Sequence, residues 1–175
     1  MGEDIARLAQ QLGAAVELTM NPTVPMEQRH QVGYILIGQH NCYISYLQAF
    51  NQLEAFKENS PYGSQCGFYL VGNNTSPMVR HFGLKILEDV VKARWNTMVP
   101  EEKVFIKENL MKLMESGTGH ITSEHLYIKD AVARVVVELI KREWPQQWPS
   151  LLQELDTLCG HGVTQTELVM FVLLR

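Results

Sequence analysis

Nothing in the 175-residue chain is apolar for long enough to cross a bilayer. The opening MGEDIARLAQQLG lacks the basic and apolar blocks of a secretory signal. Both absences lead to the expectation of a soluble, intracellular protein that does not engage a membrane. Cysteine is scarce as well: Cys42, Cys66 and Cys159 are an odd, widely spaced set, which argues against a disulfide framework and suits a reducing compartment. Basic charge is not in excess, with 15 Lys and Arg against 19 Asp and Glu and a net charge of -4. The chain as a whole therefore offers no basic face for nucleic acid phosphates. Hydrophobic residues make up 46%, enough to exclude disorder and to supply a core.

The most informative stretch is Tyr127 to Leu158. At about 100° per residue, Ile128, Val132, Val135, Val136, Leu139 and Ile140 cover more than a third of a helix circumference. Asp130, Arg134, Glu138 and Lys141 share the opposite side. Such a helix must be packed on two sides. Val135, Val136 and Val137 favour strands, but the apolar pattern is too long for one. Pro145 holds Trp144 out of the α region and stops the helix, and Pro149 is expected in the first turn of the next.

This unit occurs twice. A window shifted by 49 residues puts Trp144 on Trp95, Lys141 on Lys92, Glu138 on Asp89, Lys129 on Arg80 and Pro149 on Pro100. Ile128, Ala131, Ala133, Val135, Val136, Leu139 and Ile140 fall on Val79, Phe82, Leu84, Ile86, Leu87, Val90 and Val91. A period in the forties with two helices per unit is the spacing of HEAT-type repeats. The expected fold is an all-α solenoid of HEAT-like helical repeats, about three and a half helix pairs over 1–175.

Along the chain, Ile5, Leu8, Leu12, Ala15 and Val16 form one stripe of a first helix. A second helix is expected from Met26, interrupted by an uncharged, β-prone insertion at 32–47, and resuming from Gln48 to Lys57. Cys66 to Val71 reads as a short helix. Ser76-Pro77 reads as cap and first position of a helix ending at Trp95. Pro100 opens the next, with Val104, Phe105, Leu110, Leu113 and Met114 as its stripe and Ser116-Gly117-Thr118-Gly119 as its stop. After the corner, Leu151, Leu152, Leu155 and Leu158 make one stripe, and Thr164-x-x-Glu167 is a capping box for a last helix. That helix is apolar at Leu168, Val169, Phe171, Val172 and Leu173 and runs uncapped to Arg175, which suggests a truncated solenoid.

The sequence offers no catalytic motif. His120 and His125 fall on different helix faces, and neither His40-Asn41-Cys42 nor Cys159-Gly160-His161 has a partner pair at metal-ligand spacing. The Gly-rich 116–119 run lacks a lysine and a preceding strand. The expectation is a non-enzyme without metal or cofactor. Trp95, Pro100, Trp144, Pro145, Trp148 and Pro149 read as structural corners. The candidate binding residues are two polar stripes, His81, Lys85, Glu88, Asp89 and Lys92 on one helix and Asp130, Arg134, Glu138 and Lys141 on its repeat mate. Their mixed sign suits a protein partner.

The runs VRHFGLKILEDVVKARWN, HLYIKDAVARVVVELIKREWPQQWPSLLQELDTL and TQTELVMFVLLR resemble the N-terminal repeats of the pre-microRNA exportins in the importin-β superfamily. The resemblance implies a ring of HEAT repeats that binds Ran in its GTP state and takes up structured RNA. It also implies contact with nuclear pore proteins and shuttling between nucleus and cytoplasm. GTP would be bound by Ran, and RNA mainly by later repeats. It assigns the Ran role to the stripes at His81, Lys85, Asp89, Lys92, Asp130, Arg134, Glu138 and Lys141. The insertion at 32–47 departs from the family pattern, as translated intron or a lineage-specific loop. The alternatives are a helical scaffold without a GTPase partner and, less well supported by charge, an RNA-binding module.

Overall fold

A computed structural model of the chain describes residues 2–20, 53, 55, 56, 60–72 and 76–175. Among the described residues the elements are α1 (Gly2–Met20), α2 (Gly63–Val71), α3 (Pro77–Arg94), a 3-10 turn (Trp95–Thr97), α4 (Pro100–Ser116), α5 (Leu126–Glu143), α6 (Leu151–Cys159) and α7 (Val163–Leu173), with no strand. The all-α, HEAT-like class is as expected. The helix expected from Met26 and the insertion at 32–47 lie outside the described residues. So does most of the segment from Gln48 to Lys57, of which Leu53, Ala55 and Phe56 are helical.

The chain forms two compact units, Met1–Ile86 and Leu87–Arg175, and α3 contributes to both. In the first, α1 buries Ala9, Leu12, Ala15 and Val16 and packs on α2, while Ile5 and Leu8 stay half-buried. Helix α2 starts at Gly63, three residues before the expected Cys66. It crosses the start of α3 closely: a Cβ on the buried Gly83 would stand 2.8 Å from the Gly67 carbonyl oxygen and 2.8 Å from Leu70 Cβ. Burial pushes the Cys66 thiol up to about 11, so it stays protonated and inert near neutral pH. Ser76 caps α3 as expected, its hydroxyl accepting the Val79 N–H at 3.3 Å.

The second unit is built round α5. Ile128, Ala131, Val132, Ala133, Val135, Val136 and Leu139 are each at most 2% exposed. Burying a valine or leucine side chain is worth about 1.5–3 kcal/mol, against at most about 0.7 kcal/mol of helix propensity lost per β-branched residue. Burial wins, and the triple valine is helical. In α4, Ile106, Leu110 and Met114 form the buried face at i, i+4, i+8, whereas Val104 is 54% exposed. Two residues before Ile106, Val104 sits about 200° round the helix, so the expected stripe was centred wrongly. Leu152 leaves its stripe for the same reason, one position from the buried Leu151.

Three other expectations need correction. Pro149 lies in a turn, with α6 starting at Leu151 after Ser150. Helix α7 is entered from Gly162 without a side-chain cap; Thr164 lies beside Gly117 and Glu167 reaches Lys129 at 2.7 Å, so no capping box forms. Helix α7 is also better covered than its sequence suggests. It packs on α4, α5 and α6 and buries Leu168, Val169 and Val172, leaving Met170, Leu173 and Leu174 exposed.

Gly83→Ala should lower the unfolding free energy by about 1–3 kcal/mol, because the new methyl must displace backbone and a Cβ rather than a flexible side-chain tip. Urea titration measures it, and an unchanged midpoint would mean that α2 and α3 part without strain.

Candidate functional site

The repeat fixes where the polar stripes fall. Six of the seven apolar pairs related by 49 residues are buried in both members, and in the seventh Ile140 is half-buried opposite a buried Val91. With the apolar faces of α3 and α5 so fixed, the charges between them follow by helix geometry. His81 and Lys85 are half-buried on the part of α3 that belongs to the first unit. Asp89, also half-buried, and the exposed Lys92 belong to the second.

Within the second unit the two stripes meet in one ion network. Glu88 of α3 is its sunken centre, with a side chain only 6% exposed. Lys92 Nζ, one turn on, donates to Glu88 Oε1, and Arg134 of α5 sets Nε 3.3 Å from Glu88 Oε2. Arg134 Nη1 also donates to Asp130 Oδ2 at 2.7 Å. Asp130 is held again by Arg175, whose Nε lies 3.0 Å from Oδ1. Further along α5, Glu138 accepts from Lys141 Nζ at 2.9 Å and from Arg142 Nη1 at 2.8 Å. Arg142 reaches over to α3 as well, donating through Nη2 to the Lys92 carbonyl at 3.1 Å. Burial raises the Glu138 pKa, but the hydrogen bonds from Lys141 and Arg142 and the charges of Lys141 and Lys92 outweigh it and hold the carboxyl below its ordinary value.

Sequence reasoning takes the stripes as two candidate partner faces, with solvated faces as the alternative. Five of its candidates, Lys92, Asp130, Arg134, Glu138 and Lys141, instead bind one another or Glu88. Arg142 was overlooked, although its i+4 spacing from Glu138 was legible. Arg175, far away in sequence, left no local signal. A charge change at Arg134 therefore cannot leave stability untouched, contrary to what an isolated exposed side chain would allow.

The corner residues divide. Trp95 and Trp148 are 3% and 1% exposed. Each indole N–H donates to a glutamate, Trp95 to Glu143 at 2.9 Å and Trp148 to Glu154 at 3.1 Å. Lysines of α4 lie over both rings, Lys103 at 5.6 Å and Lys107 at 4.3 Å from the ring centres. Pro100 takes the first position of α4, and the bond from Trp144 to Pro145 is cis. Trp144 itself is 45% exposed and is no internal anchor. Its repeat mate is covered by Glu143 and Lys103; the position eight residues after Trp144, matching Lys103, is Leu152, which is exposed too.

Two of the described histidines are engaged in local structure: His120 Nδ1 lies 2.8 Å from the Thr122 hydroxyl, and His125 stacks on Tyr127. Among the described residues no three His, Cys, Asp or Glu side chains are grouped to hold a metal ion. An open groove of about 400 Å³ lies between α4 and α6, lined by Met111, Glu115, Glu154 and His161 among others. Its lining also includes Ser150, whose hydroxyl donates to Glu154 Oε1 at 2.5 Å, the same oxygen that accepts the Trp148 indole N–H.

Comparison with known proteins adds independent findings. Residues 49–116 match the importin-beta N-terminal domain and residues 125–175 the exportin 1-like protein family. The chain is 46% identical over 99% of its length to Exportin-5 of Homo sapiens and 44% identical over 99% to Exportin-5 of Mus musculus, in each case 13% of the relative. It is also similar to Protein HASTY 1 of Arabidopsis thaliana, 29% identical over 63% of this chain and 9% of that protein. The chain thus spans about an eighth of the length of these two Exportin-5 relatives.

Two measurements check the network. Arg134→Ala takes one cation from both Glu88 and Asp130 and should cost about 1–2 kcal/mol, below the range for fully buried pairs because Arg134 is 29% exposed; thermal or urea unfolding would show it. For Glu138 the folded pKa is depressed, so its contribution is present above the unfolded value of about 4.3 and is lost as pH falls through the folded pKa. Glu138→Gln should accordingly be less stable than wild type at neutral pH, the gap closing below about pH 4. A gap independent of pH would remove the carboxylate from the network.

Proposed function

Since the chain is an exportin-5-like member of the importin-β superfamily, we propose that it forms the Ran-binding part of a nuclear export receptor that carries pre-microRNA and other structured RNA from nucleus to cytoplasm. The observation that carries this reading is the 46% identity extending over 99% of the chain, which includes the repeat helices α3 and α5. It is supported by the surface those helices make, a mixed-charge lattice that fits a folded protein better than a phosphate backbone. The net charge of -4 weighs the same way.

On this reading the chain is a binding protein and not an enzyme. GTP stays in the partner, and the chain needs neither metal nor cofactor. Ran in its GTP state is the partner of this part of the chain, with His81 and Lys85 as contact candidates in the first unit and Asp89, Lys92 and Lys141 in the second. Asp130, Arg134 and Glu138 act by holding the lattice in shape. Structured RNA and nuclear pore proteins are partners of the receptor as a whole, which shuttles between nucleus and cytoplasm.

Pulldown of the intact protein with Ran locked in its GTP and GDP states tests the proposal. Retention of the GTP form in clear preference is expected. Equal retention of both would leave a helical scaffold without a GTPase partner as the better description.

A further inference from the structure

We infer that the C-terminal ends of α3 and α5 form a docking patch for a carboxylate-rich protein surface, with the ammonium groups of Lys92 and Lys141 as its contacts. The inference rests on the reading above and specifies the chemistry its partner must present. Its basis is the layering of the ion network. The carboxylates are sunk: the Glu88 and Glu138 side chains are 6% and 15% exposed. The lysines paired with them stand outside, Lys92 at 43% and Lys141 at 60%. Arg142, 22% exposed, lies between, bonded to Glu138 and to the Lys92 carbonyl.

Three cations thus surround Glu138, whose lowered pKa records their field, and the outermost charges are all positive. Of the other charged groups at these helix ends, Glu143 is half-buried with Oε1 on the Trp95 indole N–H, and Arg94 pairs with Glu102 at 3.8 Å, both of them less exposed than the two ammoniums. Asp89 is half-buried on α3. The result is a small cationic patch on a chain that is acidic overall, a difference that steers an acidic surface to one place. A nucleic acid backbone fits less well, because its binding draws on counterion release over many phosphate contacts and only two exposed cations are present here.

The test measures the affinity of the intact protein for GTP-state Ran at two salt concentrations, for wild type, Lys141→Glu and Lys92→Gln, with melting temperatures as controls. A decaglutamate peptide and a double-stranded RNA hairpin serve as competitors. The expected result is a loss of about fivefold to tenfold for Lys141→Glu, a smaller loss for Lys92→Gln, a flatter salt dependence in both, and competition by decaglutamate. If wild type distinguishes the nucleotide states and neither variant weakens binding, the patch is refuted while the export reading stands. Loss of hairpin binding in place of Ran binding refutes it in favour of nucleic acid. If wild type does not distinguish the states, the export reading falls. Decaglutamate binding that Lys141→Glu abolishes would then uphold the patch, and its absence would end it.

Discussion

Helix α5 has to be buried on two sides, and the second unit follows from meeting that requirement. Seven of its eighteen residues are at most 2% exposed, so α7 must pack along it. The charges it carries are confined to what remains of its circumference. Confinement is what makes the network. With the apolar residues of α3 fixed at repeat-equivalent positions, Glu88 has almost no access to water, and a carboxylate in that position is tolerated only with cations at hand. Lys92 supplies one from its own helix and Arg134 the other from the next repeat.

Lys129 shows the same logic at the other end of α5. It is 4% exposed, an unusual place for an ammonium. Two oxygens meet it there: the Ile121 carbonyl, which accepts its hydrogen bond at 2.7 Å, and the Glu167 carboxylate of α7, paired by charge at 2.7 Å. One buried cation thus ties the segment before α5 to the helix that covers it. Glu167 serves this tie and not a cap, because α7 begins at Val163 after Gly162 and so places Glu167 beyond its first turn.

Fold class and repeat were legible because they rest on periodicity, and periodicity is a property of neighbouring residues. The 49-residue shift paired apolar positions that are buried together, and the Ser76, Pro100 and Gly117 signals fell at helix ends as local rules require. What failed needed knowledge of the opposite element. Nothing near Val104 says that the face of α4 is centred on Ile106, and nothing near Trp144 says that its ring is exposed while Trp95 is covered. The site was legible in the same uneven way. The stripes were found, yet whether their charges faced water or one another depended on the distance between two helices, and on Arg142 and Arg175 arriving from outside the pattern.

The bonds from Arg142 to the Lys92 carbonyl and from Trp95 to Glu143 both join the end of one repeat to the end of the next. A C-terminal carbonyl of α3, left over by its own helix, is completed by a side chain that exists in place only when α5 is folded. In a linear array this adds to the interface term that couples neighbouring repeats. Such a chain loses or gains adjoining repeats together, and the stiffness that results lets a force applied at one repeat be felt as strain at its neighbour.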